Sequence, residues 1–227
     1  MPERTFSHKI SEKDRIAILG ASRGLGFALY QELSQRHFNC SFFVSSRKIT
    51  ERASDFSEKT HVQSQDYSKT PVTEEFLNSL CEFAPTRLIY VAGGGPHGSF
   101  HSKKWSDHQW ALNTSFLYPA ELLHRILSQN KSWPGLTQIV LVGSEIAEAK
   151  PDLGAASYAA AKHGLRGLVT SIQAEQGLGP EVLLFSPGYM QTDLLPAESW
   201  PVQKGLAVQP SQVAKELIAF IEKNNQR

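Results

Sequence analysis

Short runs of β-branched and apolar residues alternate along this chain with longer stretches whose apolar positions recur at helical spacing. The runs predict strands at 15–20 (RIAILG), 40–46 (CSFFVSS), 61–66, 87–93 (RLIYVAG), 138–144 (QIVLVGS) and 181–187 (EVLLFSP). Three of them, RIAIL, RLIYV and QIVLV, are almost continuously apolar. That is the pattern of a strand covered on both faces by helices, as in a parallel sheet. Helices are expected at 24–36, 71–83, 104–129, 155–176 and 211–223. The repeating strand-plus-helix unit has the roughly 30-residue size of a parallel crossover. The expectation is an α/β fold, a doubly wound sheet of six parallel strands in the order 3-2-1-4-5-6.

Composition narrows the class. The chain has 227 residues, 41% of them hydrophobic, and 23 Lys+Arg against 22 Asp+Glu give a formal net charge of +1. That balance disfavours a dedicated nucleic-acid binder, which carries a basic excess. No apolar run reaches the roughly 18 residues of a membrane span, and residues 1–14 form a polar tail without the apolar core of a secretory signal. Cys40 and Cys81 are too few for a disulfide framework and lack metal-ligand spacing, so no metal is expected and both are read as inert thiols. A single domain over 15–227 in a reducing, cytoplasmic setting is the resulting expectation.

The first predicted strand runs into Gly20-Ala21-Ser22-Arg23-Gly24-Leu25-Gly26, which opens the first helix. Glycines there let the backbone turn tightly and approach a pyrophosphate at the positive end of the helix. Gly20, Ser22, Arg23, Gly24, Leu25 and Gly26 are therefore candidate dinucleotide contacts, although the spacing is G-x-x-x-G-x-G and not G-x-G-x-x-G. The second strand ends Ser45-Ser46-Arg47-Lys48, with no carboxylate for a ribose 2′-hydroxyl. Arg47 offers a planar, permanently charged fork for a 2′-phosphate, with Arg23 a second cation and Ser46 a hydroxyl donor, which favours NADP(H). The plain alternative, a solvated helix start at Arg47 and Lys48, stays open on chemistry alone.

Tyr158 and Lys162 lie four apart in a predicted helix and so share a face. A neighbouring ammonium favours phenolate and would draw the tyrosine towards acid–base work near neutrality. Ser144, 14 residues earlier, ends the fifth strand at the edge where such sheets bind ligands.

With these residues in one chain, the sequence resembles a classical short-chain dehydrogenase/reductase from about 15 to 220. The resemblance implies a Rossmann-type fold and a hydride-transfer enzyme with a Ser-Tyr-Lys-Asn tetrad. Tyr158 would be the general acid in reduction, Lys162 the residue that holds the nicotinamide ribose and depresses the tyrosine pKa, and Ser144 the group that polarises the substrate carbonyl. Asn113 would keep a proton-relay water near the lysine. Asp66 matches the carboxylate that meets the adenine ring. Pro187, Gly188 and Thr192 match the P-G-x-x-x-T loop on the nicotinamide carboxamide, and Ala92 and Gly93 match the ribose side of the cofactor.

The chain departs from that pattern in three places. Leu19 stands where the family has threonine, and Tyr90-Val91-Ala92-Gly93 followed by Gly94 and Gly95 replaces Asn-Asn-Ala-Gly. The closing strand and Asp-Gly-Gly segment are not found, which leaves six strands expected where seven are usual. A lid over about 188–210 carries Tyr189, Met190, Leu194, Leu195 and Trp200 with Asp193 and Glu198, which suits a carbonyl substrate with an apolar part. Glu145, Ile146 and His97 are further wall candidates, while His163 is expected on another helix face. By resemblance, the helices at 104–129 and 155–176 would pair copies into a homodimer or homotetramer. The reading is an NADPH-dependent carbonyl reductase; the alternative is a non-catalytic NADP(H)-binding regulator on the same fold.

Overall fold

A computed structural model of the chain describes residues 9–37, 39–129, 132–148, 152–175 and 179–223. Its six strands are β1 (Arg15–Leu19), β2 (Ser41–Ser46), β3 (Thr60–Ser64), β4 (Arg87–Tyr90), β5 (Gln138–Val142) and β6 (Glu181–Phe185). They pair in parallel in the order β3-β2-β1-β4-β5-β6, as the crossover pattern predicts. The helices are α1 (Gly24–Arg36), α2 (Glu74–Phe83), α3 (Trp105–Leu112), α4 (Tyr118–Ser128), α5 (Ala156–Ala174), α6 (Trp200–Gln203) and α7 (Pro210–Glu222).

The continuous apolar runs are explained by a core on each face of the sheet. In β1, Ile16 and Ile18 pack with Leu29 and Leu33 of α1 and Leu217 and Ile221 of α7. Ala17 and Leu19 point the other way, into Phe76 and Leu80 of α2, Ile126 of α4 and Leu165 of α5. Period-two alternation with both faces buried makes every position apolar. Ahead of β1, Ile10 joins the first of these cores, and the buried Asp14 carboxylate accepts from the Thr86 hydroxyl at 2.6 Å. Residues 1–8 of the expected tail lie outside the described residues.

Most strands stop two or three residues before the apolar pattern does, because the chain turns out of the ladder at the carboxyl edge. Gly20 and Ala21 both donate to Ser45 O (2.7 and 3.1 Å), and Val91 and Ala92 both donate to Leu19 O (2.8 and 3.0 Å). Two successive N–H groups on one carbonyl cannot continue a ladder. Gly20 sits at φ +106°, and a Cβ there would come within 2.5 Å of Ala92 N, so only glycine fits.

The helix expected over 104–129 is divided. A π-helical turn, Asn113–Leu117, joins α3 to α4, and Tyr118 N–H reaches back to Asn113 O, one residue further than an α-helix requires. Pro119 follows. It has no N–H to give Ser115 O, which favours the looser turn.

Candidate active site

The carboxyl ends of β1, β2, β4, β5 and β6 surround one cleft of about 1210 Å³. The glycine loop and Ser46, Arg47 and Asp66 line one end of it, and Ser144, Tyr158, Lys162 and the lid line the other. The sheet topology produces this arrangement, since the chain diverges between β1 and β4 at the middle of the cleft.

At the glycine-loop end, α1 begins with no side-chain cap, which leaves its first N–H groups for a ligand. Glycine at 26 is enforced by packing, because a Cβ there would lie 2.2 Å from Gly20 O. Leu25, Pro187, Gly188 and Thr192 all line the cleft, and Thr192 Cγ2 lies 3.3 Å from where a Cβ on Gly24 would be. Ser46 Oγ is buried, faces the cleft and has no hydrogen-bond partner among the described residues. Beside it, Arg47 is exposed at the rim. An unpartnered hydroxyl next to an open guanidinium fits a phosphorylated ribose.

Asp66 accepts from Ser68 N and Oγ at 3.0 and 2.7 Å. Burial opposes its ionisation, but the two Ser68 bonds and the Arg47 charge outweigh that and hold the carboxyl below its ordinary value. Arg23 has a carboxylate partner of its own. It pairs with Asp193 of the lid at 2.9 Å, both side chains largely exposed. Sequence reasoning missed Arg52, which lies five residues after Arg47 in the 3-10 helix Ile49–Asp55. Its guanidinium sits 4.4 Å from the Phe27 ring centroid, donates to Ser22 O and Asp55, and lines the cleft. A helix-forming arginine in a polar stretch gave no signal that set it apart from a solvated surface residue.

At the other end, α5 carries Tyr158 and Lys162 on one face, and Ser144, two residues past the end of β5, lines the cleft with them. Lys162 is 2% exposed, its Nζ donates to Val142 O at 2.7 Å, and it lies 5.6 Å from the Tyr158 ring centroid. The expected depression of the tyrosine pKa is not found in the protein alone. Desolvation raises the Tyr158 phenol above its ordinary value, and the nearby Ser144 hydroxyl offsets only part of that. The reason lies with Lys162, which burial pushes down to about 7, so that near neutrality it carries only part of a charge.

Asn113 does not join this group. Its side-chain amide donates to Ser68 O at 2.8 Å, and it does not line the cleft. Thr114 lines the cleft instead, with a buried Oγ1 that has no partner among the described residues. Ala92, Gly93, Gly94 and Gly95 form the floor. The extra glycines are there for room: a Cβ on Gly93 would meet Lys162 Nζ at 3.1 Å, on Gly94 the Trp110 ring at 2.6 Å, and on Gly95 Tyr158 Cβ at 2.9 Å. Of the other wall candidates, Ile146 and His97 line the cleft and Glu145 does not. His163 Nδ1 is 2.8 Å from Ala159 O, away from the reacting groups.

The loop over 188–210 is tied to the segment before α5. Tyr189 Oη donates to both oxygens of Asp152 at 2.8 and 2.9 Å, and its ring meets Trp200 edge-on at 5.4 Å. Burial first, then the Asp152 bond and charge, push the Tyr189 phenol up to about 12. Leu153, 94% exposed, and the exposed Leu194 and Trp200 rim the opening.

Comparison with known proteins identifies the family. The chain matches the family model described as short chain dehydrogenase over residues 14–200. It belongs to that family, the classical short-chain dehydrogenases/reductases. Among curated proteins it is similar to the PIGF/3-ketodihydrosphingosine reductase fusion protein of Schizosaccharomyces pombe, with 26% identity over 204 residues. That match covers 83% of this chain and 41% of the longer relative. Among solved structures it resembles BdcA in complex with NADPH, with a TM-score of 0.76, 19% identity and coverage of 93% of this chain and 88% of that one. It also resembles 3-ketoacyl-(acyl-carrier-protein) reductase from Brucella melitensis complexed with NADH, with a TM-score of 0.79, 16% identity and coverage of 94% and 93%. No helix among the described residues is long and apolar enough to cross a membrane.

Proposed function

We propose that this protein reduces a ketone or aldehyde carbonyl to an alcohol with NADPH, using Ser144, Tyr158 and Lys162. The observation that carries the reading is the convergence, in one cleft, of Ser144, Tyr158 and a buried Lys162 with an uncapped glycine-loop helix. Arg47, Ser46 and the glycine loop would hold the cofactor's phosphates, Asp66 would face its adenine, and Gly93, Lys162, Pro187, Gly188 and Thr192 would border its nicotinamide end. When bound, the reduced nicotinamide supplies a hydride. The cofactors captured in related folds include both NADPH and NADH, so the NADPH preference rests on Arg47 and Ser46 of this chain.

The work of each side chain follows from its chemistry. Ser144 donates to the carbonyl oxygen and holds it beside Tyr158. Burial keeps the Tyr158 phenol protonated at neutral pH, so its proton is there to pass to that oxygen as the carbon is reduced. Lys162, poised near 7, then restores the proton to the phenolate. The apolar rim of Leu153, Leu194 and Trp200 suits a carbonyl attached to an apolar chain, in keeping with the name of the fission-yeast relative. We place the copies of a homodimer or homotetramer against α3, α4 and α5, where Trp105 and Leu117 are exposed.

The test is Tyr158→Phe. Carbonyl reduction is expected to fall by about 100-fold or more while NADPH binding, read by nicotinamide fluorescence, stays within a few-fold. Unchanged turnover would remove Tyr158 as the acid.

A further inference from the structure

Three successive glycines leave the floor of the cleft without side chains of its own to fix it, so something else must hold it in place. We propose that Ser115, and not Asn113, is the residue of the α3–α4 junction that positions this floor beneath the reacting groups. The inference rests on the reductase reading above.

Ser115 is wholly buried. Its Oγ accepts from Gly94 N–H at 3.0 Å and donates to Gly94 O at 3.1 Å, so one hydroxyl fixes both faces of a single peptide residue. Gly93 lies between this clamp and the lysine: a Cβ placed there would be 3.3 Å from Ser115 Oγ and 3.1 Å from Lys162 Nζ. On the other side of the clamp, Gly95 passes so close to Tyr158 that a Cβ would be 2.9 Å from the tyrosine Cβ. A shift of Gly94 therefore moves the surfaces against which both Lys162 and Tyr158 rest.

The π-helical turn explains why Ser115 has this task. Residues two apart on a helix point to nearly opposite sides. With Asn113 directed at Ser68 O, Ser115 is directed at the glycine floor. The two polar residues thus serve opposite ends of the cleft: Asn113 braces the segment that carries Asp66, and Ser115 braces the one beneath Tyr158 and Lys162. Ser115 is a positioning residue, since it touches the backbone of the floor and not the reacting atoms.

The roles separate by measurement. Ser115→Ala is expected to lower kcat by about 10-fold or more, the scale on which small misplacements act, with the NADPH Kd and carbonyl KM within about 3-fold. Asn113→Ala is expected to do the reverse, weakening NADPH by several-fold with a smaller loss of kcat. Hydrogen exchange supplies a readout independent of turnover: the Gly94 amide should exchange at least 10-fold faster in Ser115→Ala than in wild type and be unaltered in Asn113→Ala. If Ser115→Ala does not fold, Ser115→Cys keeps the volume with a weaker donor and is expected to lower kcat about 3-fold or more. Equal kcat and an unchanged Gly94 exchange rate in either Ser115 variant overturn the inference. A wild-type protein that reduces no carbonyl overturns the reductase reading instead, and the exchange result then still decides whether Ser115 holds the floor.

Discussion

Lys162 is held out of water at a cost in stability. Its ammonium is taken out of water with one backbone carbonyl as partner, and burial pushes its pKa from the ordinary 10.5 down to about 7. Between those values the unfolded chain holds a proton that the folded chain does not, so this group makes stability rise with pH across about 7 to 10.5 and has no effect on its slope below that window. Replacing it by an apolar chain of similar length removes the cost. Lys162→Met is expected to raise Tm at pH 7 by roughly 2–5 °C, read by calorimetry, while abolishing turnover. A fall in Tm would mean that the lysine is a net stabiliser. The same proton should be visible in binding. The affinity for NADH, which has no group titrating in this range, is expected to weaken several-fold from pH 6 to 8.5 and to be flat with pH in Lys162→Met. At the other end of the cleft, Arg47→Ala is expected to weaken NADPH about 10-fold or more and NADH less than 3-fold, by fluorescence titration. That Tyr158, Lys162 and Ser144 share one cleft was legible in the sequence, because a four-residue helical spacing and a strand end put them at the same edge. Arg52 and Ser115 were not, since each works through a backbone carbonyl or amide that only the folded chain brings near.

At the level of elements, the strands and their order could be read from apolar runs because both faces of the sheet are buried. Where each strand ends could not, because an apolar residue that leaves the ladder to line a cleft looks like one that stays. Val91 and Ala92 continue the apolar run of β4 but have already turned to Leu19 O. The π-helical turn was also hidden, since Asn113–Leu117 keeps helical periodicity and differs only in which carbonyl Tyr118 N–H reaches. The lid was visible as a loop, but its fastening was not: Asp152 gave no sign of pairing with Tyr189, 37 positions away. That fastening makes its own prediction. Tyr189→Phe removes both bonds to Asp152 but keeps the ring on Trp200. The carbonyl KM should rise about 3- to 10-fold with kcat within 2-fold, since the lid would then close less often. No change in KM would show that the tyrosine–aspartate pair does not govern closure.

For the molecule as a whole, the sheet brings to one edge a dinucleotide-sized cleft and a serine–tyrosine–lysine group, with an apolar rim of Leu153, Leu194 and Trp200. Assembly is expected to use the outer faces of α3, α4 and α5. Light scattering after size exclusion should report a dimer or tetramer for the wild type, and Leu117→Lys should shift it towards monomer. The central claim is that the cleft transfers hydride from NADPH to a carbonyl, and it is tested most directly by following NADPH oxidation against ketones, aldehydes and acyl thioesters with apolar chains of graded length, with NADH in parallel. The account predicts turnover with NADPH, much less with NADH at equal concentration, and kcat/KM that rises with chain length. Tight NADPH binding with no oxidation of it by any of these carbonyls would contradict the account and favour a nucleotide-binding regulator.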